Sequence, residues 1–235
     1  MKTDEKYFNF PIHLLNGFLI GSSICLNDIF DYAIYQHSKK YKECTQNESI
    51  EAALKWFNVT SRDLKQTIKN GKQISENTPS NSPKVGISIT MYFDYYHNEK
   101  TDFEKVCLLG FLAIRSILGN GEKHKPFWKL DNKFWLSRMD GRINAVSEIW
   151  ELSETIRKFA TEYQTVKIKT ELRNNWGLTT YSRYTRGFYV SFDLNLEDLV
   201  FEAEKRRKST KEKQYREREK EALKTVNLKL YPNTS

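Results

Sequence analysis

The sequence predicts a mostly α chain with small β-hairpins, an α+β protein made of two helix-turn-helix modules, each followed by strands, and a basic C-terminal helix. Three observations carry that prediction. A helix-period stretch runs directly into a period-two stretch between Thr165 and Phe192, two helices turn a tight corner between Ser49 and Ile74, and the run from Glu197 to Lys224 is polar all round. The 235 residues, 39% hydrophobic and 14% aromatic, are enough for packed cores and suit two units of roughly 100 residues. The expected boundaries are 1–96 for the first module, 97–102 for a linker, 103–196 for the second module and 197–235 for the tail.

Along the chain, Leu26–Tyr41 reads as an amphipathic helix with Ile29, Tyr32, Ala33 and Tyr41 on or near one side. The corner follows: an Ala-rich helix, a turn through Asn58, Val59 and Thr60, and a second helix opened by a capping pair of Thr60 with Asp63. Ala52, Ala53 and Phe57 are expected to face Leu64 and Ile68, leaving Arg62, Lys65, Gln66 and Lys69 outside. The loop SENTPSNSPK leads to KVGISITMYFDYY, which reads as a strand. Composition then shifts sharply at HNEKTD, from His97 to Asp102.

The helix beginning at Phe103 ends near Gly119 and Gly121, whose permissive backbones favour termination. KPFWKLD suggests a short strand and NKFWLSRMDG a short helix, while Val146, Ile149, Leu152, Ile156 and Phe159 continue a helical period through Arg142–Glu162. Two segments, SETIRKFA and NKFWLSRM, are therefore candidates for the helix that braces the next one. That next helix buries Thr165, Ile168, Leu172 and Trp176 on one stripe. Gly177 lets it stop, and GLTTYS and GFYVSF form a hairpin around the turn RYTR. This order, helix then basic-tipped hairpin, is that of a winged helix. Gln164, Lys167, Thr170 and Asn174 are expected to face base edges, Lys169 and Arg173 phosphate, and Arg183, Tyr184 and Arg186 an adjacent groove or the backbone. In the tail, Lys205–Lys224 carries ten Lys and Arg against four acids, a phosphate-tracking arm, and VNLKLYP alternates as an edge strand would.

Charge is uneven along the chain. Residues 1–100 hold 12 Lys and Arg against 11 acids, so 101–235 holds 26 against 19 and carries +7 of the formal +8. With a pI near 9.2, this favours a polyanion over acidic small molecules. Cys25, Cys44 and Cys107 are odd in number and lack zinc-site or disulfide spacing. His13, His37, His97 and His124 are scattered, Asp94 and Asp102 are isolated, and no phosphate loop, dinucleotide fingerprint or nucleophile elbow occurs. The expectation is a non-enzymatic protein with no cofactor and no metal. The apolar runs fall short of the roughly 20 residues a membrane span needs, and acids in MKTDEKYFNF depart from a signal peptide, so a cytoplasmic protein without a membrane is expected.

The corner from Ser49 to Ile74 resembles the helix-turn-helix of bacterial regulators and excisionases, and LRNNWGLTTYSRYTRGFYVSF resembles a bacterial winged-helix ending. Across residues 20–195 the chain looks like the tandem winged-helix replication initiators of plasmids and mobile elements. The long Arg142–Glu162 segment and the weakly charged first wing depart from that pattern. The resemblance implies binding to repeated double-stranded DNA sites near an origin or promoter, with one module reading bases and the other sharing DNA contact with homodimer formation. The alternative is a protein- or RNA-interaction subunit of a larger bacterial assembly.

Overall fold

In the computed structural model the described residues are 5–61, 63–119, 124–182 and 187–230, with the side chains of residue 22 and of 224–230 excepted. The fold is mostly helical with two small antiparallel sheets, an α+β arrangement. The first sheet pairs β1 (Tyr7–Pro11) with β2 (Lys84–Ser88), Phe8 opposite Ile87 and Phe10 opposite Val85. These four apolar side chains all point to the core, as period-two alternation requires.

Between the strands lie α1 (Ser22–Ser38), α2 (Gln46–Phe57) and α3 (Leu64–Asn77). A reciprocal capping box starts α2: the Glu48 carboxylate accepts from the Thr45 amide at 2.8 Å, and the Thr45 hydroxyl accepts from the Glu48 amide at 3.4 Å. Asn58 ends it in the left-handed region at φ 58°. The cap of α3 is Asp63, which accepts from the Gln66 amide at 3.0 Å, so the expected Thr60 cap gives way to the residue one turn nearer the helix. α3 packs mainly on α1. Gly71 makes the approach possible, since a Cβ there would stand 2.4 Å from the Asp31 carbonyl oxygen.

The run after β2 departs from the expected strand. Ser88 is the last strand residue, and its hydroxyl accepts from the Met91 amide at 3.3 Å, turning ITMYFDYYH into α4 (Ile89–His97). β2 pairs with β1, and the aromatic run that was to extend it as a wing is helical.

Residues 97–102, expected as a linker, close α4 and open α5 (Asp102–Leu118) through the Thr101–Glu104 capping box and a 2.7 Å Lys100–Asp94 ion pair. α5 is apolar nearly all round and buries Val106, Leu108, Leu109, Leu112, Ile114 and Leu118. It packs on β2, α6 (Asn132–Met139) and α8 (Glu162–Asn175). One buried cluster thus runs from Phe8 to Val190.

Of the two candidate braces, NKFWLSRM forms the full helix α6, whose Trp135, Leu136 and Met139 are fully buried, while α8 itself packs mainly on α5. Trp135 Nε1 donates to the Gly110 carbonyl at 3.1 Å, and a Cβ at Gly110 would come within 3.1 Å of that indole. SETIRKFA supplies only the short α7 (Glu154–Arg157). The helical period read through 142–162 is not realised. Val146, Leu152 and Ile156 are buried as expected, Ile156 from α7 and the other two from non-helical backbone beside Asp140, whose carboxylate accepts from Arg142 Nε at 2.9 Å and the Ser153 amide at 3.0 Å.

The second sheet has the order β3-β5-β4, with β3 (Trp128–Leu130), β4 (Thr179–Tyr181) and β5 (Phe188–Ser191) all antiparallel. α9 (Leu196–Leu230) closes the chain. The alternating residues Val226, Leu228 and Leu230 belong to its helical backbone instead of an edge strand.

Candidate nucleic-acid interface

α8 begins at Thr161, whose hydroxyl accepts from the Gln164 amide at 3.3 Å. Thr165, Ile168 and Leu172 point inward with at most 1% exposure, and Trp176 packs beside them on Phe111. With 3.6 residues per turn, the side opposite that stripe holds Tyr163, Lys167, Thr170 and Asn174. Three of the expected base-facing residues therefore share the outward face, and the half-buried Gln164 flanks it. Lys167 lies with its Nζ 4.3 Å from the centre of the Phe103 ring. Arg173 is exposed and donates to the Thr170 hydroxyl at 2.9 Å.

Lys169 is a correction. Its Nζ donates to Asn132 Oδ1 at 3.2 Å and sits 4.2 Å from the Phe188 ring centre, so the side chain folds back on the protein. Burial of the ammonium, with Arg173 nearby, lowers its pKa. It braces α8 against α6 and β5 and is not aimed outward to meet phosphate.

After α8, the Leu172 carbonyl accepts from the amides of Trp176 and Leu178, and Gly177 at φ 69° carries the turn into β4. Gly187, at φ 95°, restarts the chain at β5 where a Cβ would lie 2.4 Å from the Leu130 oxygen. Arg183, Tyr184 and Arg186 lie outside the described residues, as does Arg62. In the first corner, Lys65 and Lys69 are exposed on α3; Gln66 is exposed too, but its amide is bound to Asn70 Oδ1 at 2.7 Å.

The sheet's outer face adds residues that the sequence pattern left unmarked. Register puts Lys129, Tyr189 and Tyr181 side by side across β3, β5 and β4. The first turns of α9 cross this row, with Ala203 buried and Tyr181 Oη donating to Glu204 at 2.9 Å. Arg206 stands 5.2 Å from the Phe127 ring and 5.3 Å from that of Trp128, and Lys125 Nζ stands 3.9 Å from Trp128. A cavity of about 360 Å³ opens between Lys129, Tyr189, Arg206 and Arg207. The aromatic pair flanked by lysines in KPFWK is the signal that points to them. Beyond it, α9 is exposed at every residue from Lys208 to Leu223.

Among the described residues no group of three His, Cys, Asp or Glu could hold a metal ion, and no helix is long and apolar enough to cross a membrane. Comparison with protein families, curated proteins and solved structures finds no match for this chain.

Proposed function

We propose that the chain binds double-stranded DNA through a winged-helix second module, with α8 in a major groove, the β4–β5 hairpin beside it and α9 along phosphates. One observation carries the reading: α8, with Lys167, Thr170 and Asn174 outward, runs directly into a hairpin whose second strand pairs with β3, in the order β3-β5-β4. The chain order α5, β3, α6, α8, β4, β5 is the one a winged helix uses, with residues 140–161 as an insertion. Base edges then fall to Lys167, Thr170 and Asn174, and phosphate to Arg173, Lys125 and Lys129. The biological role that fits is a replication initiator or transcriptional regulator of a plasmid or mobile element, acting as a homodimer on repeated sites.

Mobility shifts with Lys167→Ala and Arg186→Ala at two salt concentrations test this. Removing a base-reading side chain should cost about 1–3 kcal/mol and relax sequence preference, and removing a phosphate-binding one should weaken all sequences and flatten the salt dependence. Unchanged affinity in both variants would remove α8 and the wing as the interface. A second reading, a subunit that binds protein or RNA, is favoured by Tyr163 and Val166, which are 72% and 51% exposed on or beside the outward face of α8. Pull-down with a DNA-specific nuclease separates the two, because protein and RNA partners survive it and DNA does not.

A further inference from the structure

An open cleft of about 680 Å³ lies away from α8, in the angle between α1, the α2–α3 turn and α4. Helical spacing builds its walls. On α4, Tyr92, Phe93, Tyr96 and His97 fall on one face, and Phe30 from α1 joins them. Their rings are ordered: Tyr92 and Tyr96 stack at 5.8 Å with 20° between planes, and Phe93 and His97 at 5.5 Å with 10°. The aromatic wall thus holds two stacked pairs set edge to face, with 82° between Tyr92 and Phe93 and 86° between Tyr96 and His97, and Tyr92 is fixed by its hydroxyl bond to the Leu26 carbonyl at 3.0 Å.

The facing wall is polar. Asp31 on α1 is 7% exposed, and its Oδ2 accepts from Asn70 Nδ2 at 3.0 Å. Asn70 is held in that sense because its own oxygen accepts from Gln66 Nε2 at 2.7 Å. Ser61 and Thr67 share a 2.7 Å hydroxyl bond beside it, and Asn27 and Asn58 add carboxamides. Burial raises the Asp31 pKa, and the bonds from Asn70 and Thr67 oppose the rise. A carboxylate kept in a cleft of this size, with carboxamides around it and aromatic ring faces opposite, matches a flat ligand that carries N–H donors on its edge. Lys55 stands at the rim, where an attached phosphate would end.

The geometry points to a nucleobase-binding site in this cleft: a base bearing an exocyclic amino group stacks on the α4 rings and donates to Asp31, and its phosphate faces Lys55. The same chemistry arises from a free nucleotide or from one base of a single strand. The site is separate from the α8 surface and does not depend on duplex binding there.

Titration calorimetry of the full chain with AMP, GMP, CMP and UMP, and with a short single-stranded oligonucleotide and its abasic counterpart, tests the assignment. Saturable binding of the amino-bearing nucleotides, with UMP weaker, is the expected result. Asp31→Asn and Tyr96→Leu should each lower affinity at least about tenfold. Tyr96 is the half-buried partner, so this variant keeps the test alive if Asp31→Asn unfolds by circular dichroism. If only the oligonucleotide binds, and the abasic strand or Tyr96→Leu weakens it by that factor, the base comes from a polynucleotide and the site stands. Absence of binding by every probe, or binding indifferent to base removal and to both substitutions, overturns it. Failure of Lys167→Ala to alter duplex affinity would leave the cleft result unaffected.

Discussion

Arg138 is the residue whose surroundings fit it least. It is 8% exposed, its Nε and Nη1 have no hydrogen-bond partner among the described residues, and its guanidinium lies 5.1 Å from the Phe134 ring centre. Burial lowers its pKa, the direction expected of a cation taken from water without an anion to meet it. A ring face returns only part of the lost hydration. Arg138→Met keeps the stem and removes the charge, so urea denaturation should show stability unchanged or raised by about 1 kcal/mol. A decrease of more than about 2 kcal/mol would mean that the guanidinium has a partner worth keeping. At the same scale, Lys169 shows why a face drawn from spacing alone misplaces a long side chain: its Cα lies at the edge of the buried stripe, and a flexible stem next to Phe188 bends toward the ring.

At the scale of elements, α9 has the clearest consequence. Its first turns are anchored on β4 and β5 by Ala203 and the Tyr181–Glu204 bond, and the rest stands in solvent. Replacing Lys211, Lys213, Arg216, Arg218 and Lys220 with Gln should leave the melting temperature nearly unchanged. It should also weaken duplex binding evenly across sequences and reduce the slope of log K against log salt by as much as about 0.9 for each phosphate that the arm no longer neutralises. A change in sequence preference instead would place the arm among the base-reading parts. Elements were legible where one period ruled: Thr165, Ile168 and Leu172 mark α8 without ambiguity. ITMYFDYYH was not, because β-branched and aromatic residues favour strands, and the deciding feature is one hydroxyl at Ser88 that caps a helix. The Arg142–Glu162 segment failed differently. Its Val146, Leu152 and Ile156 are buried, but Ser137 and Asp140 satisfy the Val146 and Ser153 amides from side chains, so no continuous helix is needed to place them. The cleft stayed invisible for the first of these reasons, since Tyr92, Phe93, Tyr96 and His97 converge only on a helix.

For the whole molecule, the buried cluster passes from β1 and β2 through α5 to α8 and β5. Unfolding should therefore be one cooperative event, with tryptophan fluorescence and far-ultraviolet circular dichroism giving the same urea midpoint. Phe8, fully buried within 4.9 Å of the Phe57 and Tyr92 ring centres, provides the probe. Phe8→Ala should cost about 3–5 kcal/mol and lower both midpoints together. Two separate transitions, or a shift confined to one signal, would divide the chain into independent units.

A helix buried along most of its length cannot tilt unless the elements packed on it move as well. α5 packs on β2, α6 and α8, so the outward face of α8 is set relative to the first sheet like a tooth cut on a key. A target of that face would have to fit the tooth where it stands, because the shank behind it does not bend.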